Sequence, residues 1–175
     1  MEQQEAIDLI GKAIPQRESP QLWADLGCGR GTFTGALAHL LPKGSHIYAI
    51  DAQSQNLSKD IGDNVFIDFI KADFEIFDFD FSNLDGILMA NALHYIKNKQ
   101  LLIHRLEKYL SADKKFIIVE YDTQIANQWV PYPIDFTNLK ELFTALGYSK
   151  ISKVGEQRSI YGKGNLYAAA IEKTN

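Results

Sequence analysis

Apolar and polar positions alternate between two periods along this chain, and the switches mark its elements. Ala6, Ile7, Leu9, Ile10, Ala13 and Ile14 recur at helical spacing and stop before Pro15. A short apolar run at 22–26 follows and reads as a strand. After it, Phe33, Ala36, Leu37, Leu40 and Leu41 restore the helical stripe. His46–Asp51, Val65–Ala72 and Leu84–Asn91 read as further strands, with a short helix over Gln55–Ile61 between the first two. Ile96–Leu110 predicts a helix with Leu102, Leu106, Tyr109 and Leu110 inward. Phe116–Tyr121 is a β-branched-rich strand, and Phe136–Leu146 a helix ended by Gly147. Tyr148–Val154 and Leu166–Glu172 complete the series as strands. Phe77-Asp78-Phe79-Asp80-Phe81 alternates like an edge strand and equally suits a lid. Strands alternating with helices imply an α/β fold, a mostly parallel sheet with helices on both faces.

Composition bounds this picture. The chain has 175 residues, 46% hydrophobic and 23% charged, enough for one buried core and too few for two comfortable domains. We expect a single domain over 1–175, with 1–19 as an amino-terminal helix and lead-in and 20–175 as the core. The amino terminus is acidic and polar and no apolar run reaches the length of a membrane span, so a cytoplasmic protein is expected. A net charge of −4 disfavours nucleic acid as partner, because such affinity comes from neutralising phosphates. Lys97-Asn98-Lys99 and Lys114-Lys115 are small clusters suited to solvated surface. Cys28 is the only cysteine, and His39, His46, His94 and His104 are scattered, so neither a disulfide nor a zinc site is expected.

The chemistry concentrates where the first strand ends. Asp25 closes the apolar run, and Gly27, Gly29 and Gly31 follow at alternate positions before the helix. Glycine permits positive φ and lets a ligand approach main-chain atoms, so this turn suits a nucleoside at the carboxyl edge of a sheet. A dinucleotide fingerprint needs its third glycine at the sixth position, which here is Thr32. Asp25 would also lie close to a pyrophosphate, with the wrong sign of charge. A cationic ligand reverses that objection. Singly, each feature also has a structural reading: a tight loop, a turn-favouring acid after a strand, a helix cap.

Asp25-Leu26-Gly27-Cys28-Gly29-Arg30-Gly31 resembles motif I of the class I S-adenosylmethionine (SAM) dependent methyltransferases. The resemblance continues at successive strand ends and covers roughly residues 20 to 173. It implies that the turn, with Asp25, Cys28 and the three glycines, borders the amino-acid end of SAM. Asp51, with Ala52 beside it, would meet the ribose hydroxyls; it lies twenty-four residues beyond Gly27, near the usual offset of about 20. Asp73 and Phe74 would meet the adenine, and Asn91 would end the fourth strand beside the methyl group and the acceptor. The implied fold is Rossmann-like, seven strands in the order 3-2-1-4-5-7-6 with the last antiparallel.

Methyl transfer is an in-line displacement at a carbon activated by the sulfonium, so the protein mainly aligns an acceptor and excludes water. A hydroxyl or protonated amine additionally needs a base. His94, just beyond the fourth strand, is the first candidate, and packing against the next helix is its structural alternative. Glu120 and Tyr121 at the end of the fifth strand are the others. Trp129, Tyr132 and the 158–165 segment are candidate walls, although Gly162 and Gly164 suit an ordinary hairpin turn. Asn91-Ala92-Leu93-His94 lacks the Asp/Asn-Pro-Pro-aromatic signature that resembles enzymes methylating bases or glutamine amides. The expectation is a SAM-dependent enzyme releasing S-adenosylhomocysteine (SAH), acting on a small molecule without a metal. The rivals are an NAD(P)-linked reductase and a non-catalytic SAM- or nucleoside-binding partner subunit. Acceptor identity and oligomeric state are not encoded in any motif.

Overall fold

A computed structural model describes residues 1–57, 65–158 and 165–173. Its centre is one seven-stranded sheet in the order β3-β2-β1-β4-β5-β7-β6. The parallel strands are β1 (Leu22–Leu26), β2 (His46–Asp51), β3 (Phe66–Lys71), β4 (Gly86–Ala90) and β5 (Lys114–Tyr121). β7 (Asn165–Lys173) runs antiparallel to both β5 and β6 (Lys150–Arg158). This is the expected strand order, antiparallel strand included. β1, β4 and β5 are almost wholly buried because helices cover both faces, which explains their unbroken apolar sequences.

Two cores flank the sheet. α1 (Gln3–Ile10) and α2 (Thr32–Leu40) pack on one face with Trp23, Ile47, Leu88, Ile117 and Val119. α3 (Lys99–Leu106) and α4 (Phe136–Ala145) pack on the other with Ile87, Met89, Phe116, Ile118 and Tyr167. Along β5 the side chains therefore alternate between cores, Phe116 and Ile118 to one side and Ile117 and Val119 to the other.

Three expectations are revised. The 96–110 helix starts at Lys99, because the Asn98 side chain accepts from the Leu101 amide and caps it there; it ends in a 3₁₀ turn at Glu107–Tyr109. The four residues expected inward are all buried. Residues 77–81 form neither an edge strand nor a lid. Phe79 stacks on Phe81 at 4.7 Å between centroids, Phe81 stacks on Tyr48 at 4.6 Å, and Tyr109 meets both edge-on. Arg105 donates to the carbonyls of Phe74, Glu75 and Phe77, tying the segment to α3. Aromatic packing and a half-buried arginine thus override the period-two pattern. The strand over 148–154 begins later and runs to Arg158. The expected helix over Gln55–Ile61 falls partly outside the described residues, and the turn at Gly162 and Gly164 wholly so. Among the described residues no helix is long and apolar enough to cross a membrane.

Candidate cofactor and acceptor site

The turn after β1 is shaped by its glycines. Gly27, Gly29 and Gly31 have φ of +77°, +50° and +84°. A Cβ at Gly27 would lie 2.6 Å from the Ala92 Cβ, so this residue lets β1 and the end of β4 close on each other. A Cβ at Gly29 would meet nothing within 4 Å, because that side of the turn is open. The Gly27 and Cys28 amides both donate to the Ile50 carbonyl, at 2.8 and 2.9 Å. The Gly29 amide donates to Asp51 Oδ2 at 2.9 Å, and Gln53 donates to Oδ1 at 2.8 Å. Asp51 therefore anchors the turn it faces.

Asp25 lies beneath the turn at 0% exposure. Thr34 Oγ1 donates to its Oδ2 at 2.6 Å, and its Oδ1 has no hydrogen-bond partner among the described residues. Burial pushes its carboxyl up to about 7, with the Thr34 hydrogen bond opposing and the Asp51 charge adding. The Cys28 thiol is pushed up too, by burial and then by the charges of Asp25 and Asp51, so it is a neutral side chain rather than a nucleophile.

A cavity of about 840 Å³ opens above this turn. One end is lined by Gly27, Gly29, Asp51, Ala52, Asp73 and Phe74. Asn91 and Ala92 lie between the ends. Asn91 holds φ at 52°, and its Oδ1 is buried without a partner among the described residues. On the β5, β7 and β6 side of the sheet the cavity is lined by Tyr121, Leu166, Gln157 and Arg158, and Phe33, Tyr95, Ile96 and Glu5 of α1 add to its lining. Asp25 and Gly31 do not line the cavity; Gly31 instead caps α2.

The three candidate catalytic side chains separate. Tyr121 lines the cavity, whereas His94 and Glu120 do not. Alternation is the reason: Glu120 pairs with Tyr167 on the α3/α4 face, and Tyr121 pairs with Leu166 on the other. Glu120 Oε2 lies 2.6 Å from His94 Nδ1 and Oε1 accepts from the His94 amide at 3.0 Å, with side-chain exposures of 1% and 3%. The His94 ring packs under Tyr95, 4.3 Å between centroids. Trp129 and Tyr132 also lie off the cavity, at 71% and 41% exposure. Sequence reasoning passed over Phe33, which carried only a helix-stripe signal, and Leu166, which carried none.

A model described as a methyltransferase domain matches residues 23–169. The chain belongs to this family. No curated protein sequence matches it significantly. The fold is shared with the Burkholderia thailandensis 1,6-didemethyltoxoflavin-N1-methyltransferase, solved with 1,6-didemethyltoxoflavin and SAH (TM-score 0.71, 21% identity, 98% of this chain and 77% of that one). It is also shared with the magnesium protoporphyrin IX methyltransferase of Synechocystis PCC 6803, solved with SAM (TM-score 0.67, 15% identity, 98% and 79%). For this methyltransferase the strand order and the end-of-strand positions of Asp51, Asp73 and Asn91 follow one plan.

Proposed function

We propose that this methyltransferase moves a methyl group from SAM to a small, flat, largely apolar acceptor. The observation that carries the reading is the Asp51 carboxylate, held at the cavity by one backbone amide on each oxygen. Each oxygen retains a lone pair, which suits the two hydroxyls of a ribose. The open face of Gly29 and the Asn91 Oδ1, without a partner among the described residues, fit the rest of such a ligand, the latter as an acceptor for an ammonium group.

When bound, SAM supplies an electrophilic methyl group and a sulfur leaving group. Asp51 then orients the ribose, while Phe74 and Asp73 border the adenine. Phe33, Tyr95, Tyr121 and Leu166 offer an apolar wall that orders a flat acceptor and excludes water. Alignment of this kind contributes on the order of 7 to 11 kcal/mol. The toxoflavin-precursor enzyme is crystallised with a small-molecule acceptor, which supports the same class here. A reductase reading is less well served, because the Gly27, Cys28 and Gly29 amides that a pyrophosphate would use are taken by Ile50 and Asp51.

Calorimetry with SAH in the presence of a chelator tests the cofactor, and a panel of flat heteroaromatic acceptors including 1,6-didemethyltoxoflavin tests the activity. Saturable SAH binding is expected. Binding of NAD(H) without SAH would overturn the proposal, and SAH binding without turnover of any acceptor would favour the partner-subunit reading.

A further inference from the structure

Tyr95 and Ile96 line the acceptor end from a 3₁₀ turn, Leu93–Tyr95, that is gripped from both sides. On one side Glu120 holds His94 through its amide and its ring nitrogen. On the other, Lys99 Nζ donates to the Ile96 carbonyl at 2.8 Å. The same lysine donates to the Tyr132 carbonyl at 2.8 Å, and the Tyr132 amide donates to the His94 carbonyl at 3.0 Å. Tyr132 stands between Pro131 and Pro133, so a segment with restricted backbone freedom is tied to one turn through both of its peptide groups. The contact between the Glu120 carboxyl and Nδ1 also sets the plane of the imidazole that supports Tyr95.

We propose that Glu120, His94 and Lys99 are positioning residues that set the acceptor wall, holding Tyr95 and Ile96 in register with the cavity and stapling Tyr132 beside them. This deepens the methyltransferase reading and rests on it. In this arrangement His94 removes no proton from the acceptor; it is the mount for the residues that touch it. Burial lowers the Lys99 pKa, and the opposing charge of Glu120 raises it, which fits a cation and a carboxylate closing the network from opposite ends.

The test compares Lys99→Met, His94→Ala and His94→Asn with the wild type. The asparagine amide nitrogen occupies the place of Nδ1 and preserves the bond to Glu120, but it offers no counterpart of Nε2. SAH affinity by calorimetry should stay within about threefold in all three. Amide hydrogen exchange at Tyr95, Ile96 and Tyr132 should accelerate about tenfold or more in Lys99→Met and His94→Ala, with β1 amides unchanged, and return to wild-type rates in His94→Asn. On any panel acceptor the wild type turns over, the KM for acceptor should rise about tenfold in the first two while the KM for SAM stays put. Failure of the wild type to bind SAH would remove the functional reading itself. With SAH bound, unchanged local exchange in Lys99→Met would overturn the positioning proposal. Loss of turnover in His94→Asn as complete as in His94→Ala would overturn it in favour of a base. Lys99 is only half-buried, so its variant carries the test if His94→Ala does not fold.

Discussion

The two ends of the cavity are built by different means. The proposed cofactor end is a backbone structure: three glycines at positive φ, amides shared between Ile50 and Asp51, and a carboxylate aimed by its own strand end. Its parts all fall within residues 27–74. The proposed acceptor end is assembled from side chains of α1, α2, the 93–95 turn, β5 and the β6–β7 pair. Backbone geometry tolerates few sequences, whereas a wall of side chains tolerates many of similar size and polarity. A protein built this way can hold its cofactor unchanged while its acceptor varies.

Gly29→Val attacks that division most severely. Its Cβ would project into open cavity space rather than into neighbouring atoms, and a β-branched side chain is strained at a φ of +50°. SAH affinity should fall by more than about 100-fold, with the sheet retained by circular dichroism. Unimpaired binding would place the ligand away from the turn and dissolve the distinction between the two ends.

Asp51→Ala comes next. It removes the acceptor of the Gly29 and Gln53 amides together with the proposed ribose contact. Charge-assisted hydrogen bonds contribute about 1.5 to 3 kcal/mol each, so SAH should bind roughly tenfold to a few hundredfold more weakly. Asp51→Asn should lose less, since one oxygen still accepts. Equal affinity in a folded alanine variant would make Asp51 a turn anchor only.

The same division explains what could be read from the chain. Gly27, Gly29 and Asp51 were legible because a positive φ and a strand-end acid leave local signatures. Leu166 was not, because only the β6–β7 pairing brings it to the cavity. Glu120 and Tyr121 were named together, yet adjacent strand residues point to opposite faces, so at most one could meet the acceptor. That rule was available from the sequence; which of the two it favoured was not. At 77–81 the alternating phenylalanines obeyed strand periodicity and packed as an aromatic stack instead, because Tyr48 and Tyr109 lie within reach.

Asp25 sharpens the comparison through pH. Its carboxyl stands at about 7 in the folded chain against an ordinary value of 3.8, with burial as the main cause. The folded state therefore keeps a proton that the unfolded chain has already released. Stability from this group is greatest below about pH 4, falls as pH rises towards 7, and levels off once both states are ionised. Between pH 6 and 8 the loss should be on the order of 1 kcal/mol. Thermal denaturation of the apo-protein against Asp25→Asn checks it: the difference should move in the variant's favour as pH rises. A parallel pair of pH profiles would mean that Asp25 ionises near its ordinary value.

Tyr121→Phe should do least to the cofactor and so tests the separation most finely. Tyr121 ends β5 on the α1/α2 face, opposite Leu166, and lines the acceptor end rather than the glycine turn. Removing its hydroxyl leaves the ring, its packing and every hydrogen bond of the 27–29 turn in place. SAH affinity should stay within about twofold, a difference near 0.4 kcal/mol. Turnover of a panel acceptor discriminates further: a fall of about 100-fold would assign the hydroxyl a share in handling the acceptor's proton, and a change within a few-fold would leave alignment by the wall as the working element. SAH binding weakened more than tenfold would show that the two ends are one site and that their separate construction carries no functional separation.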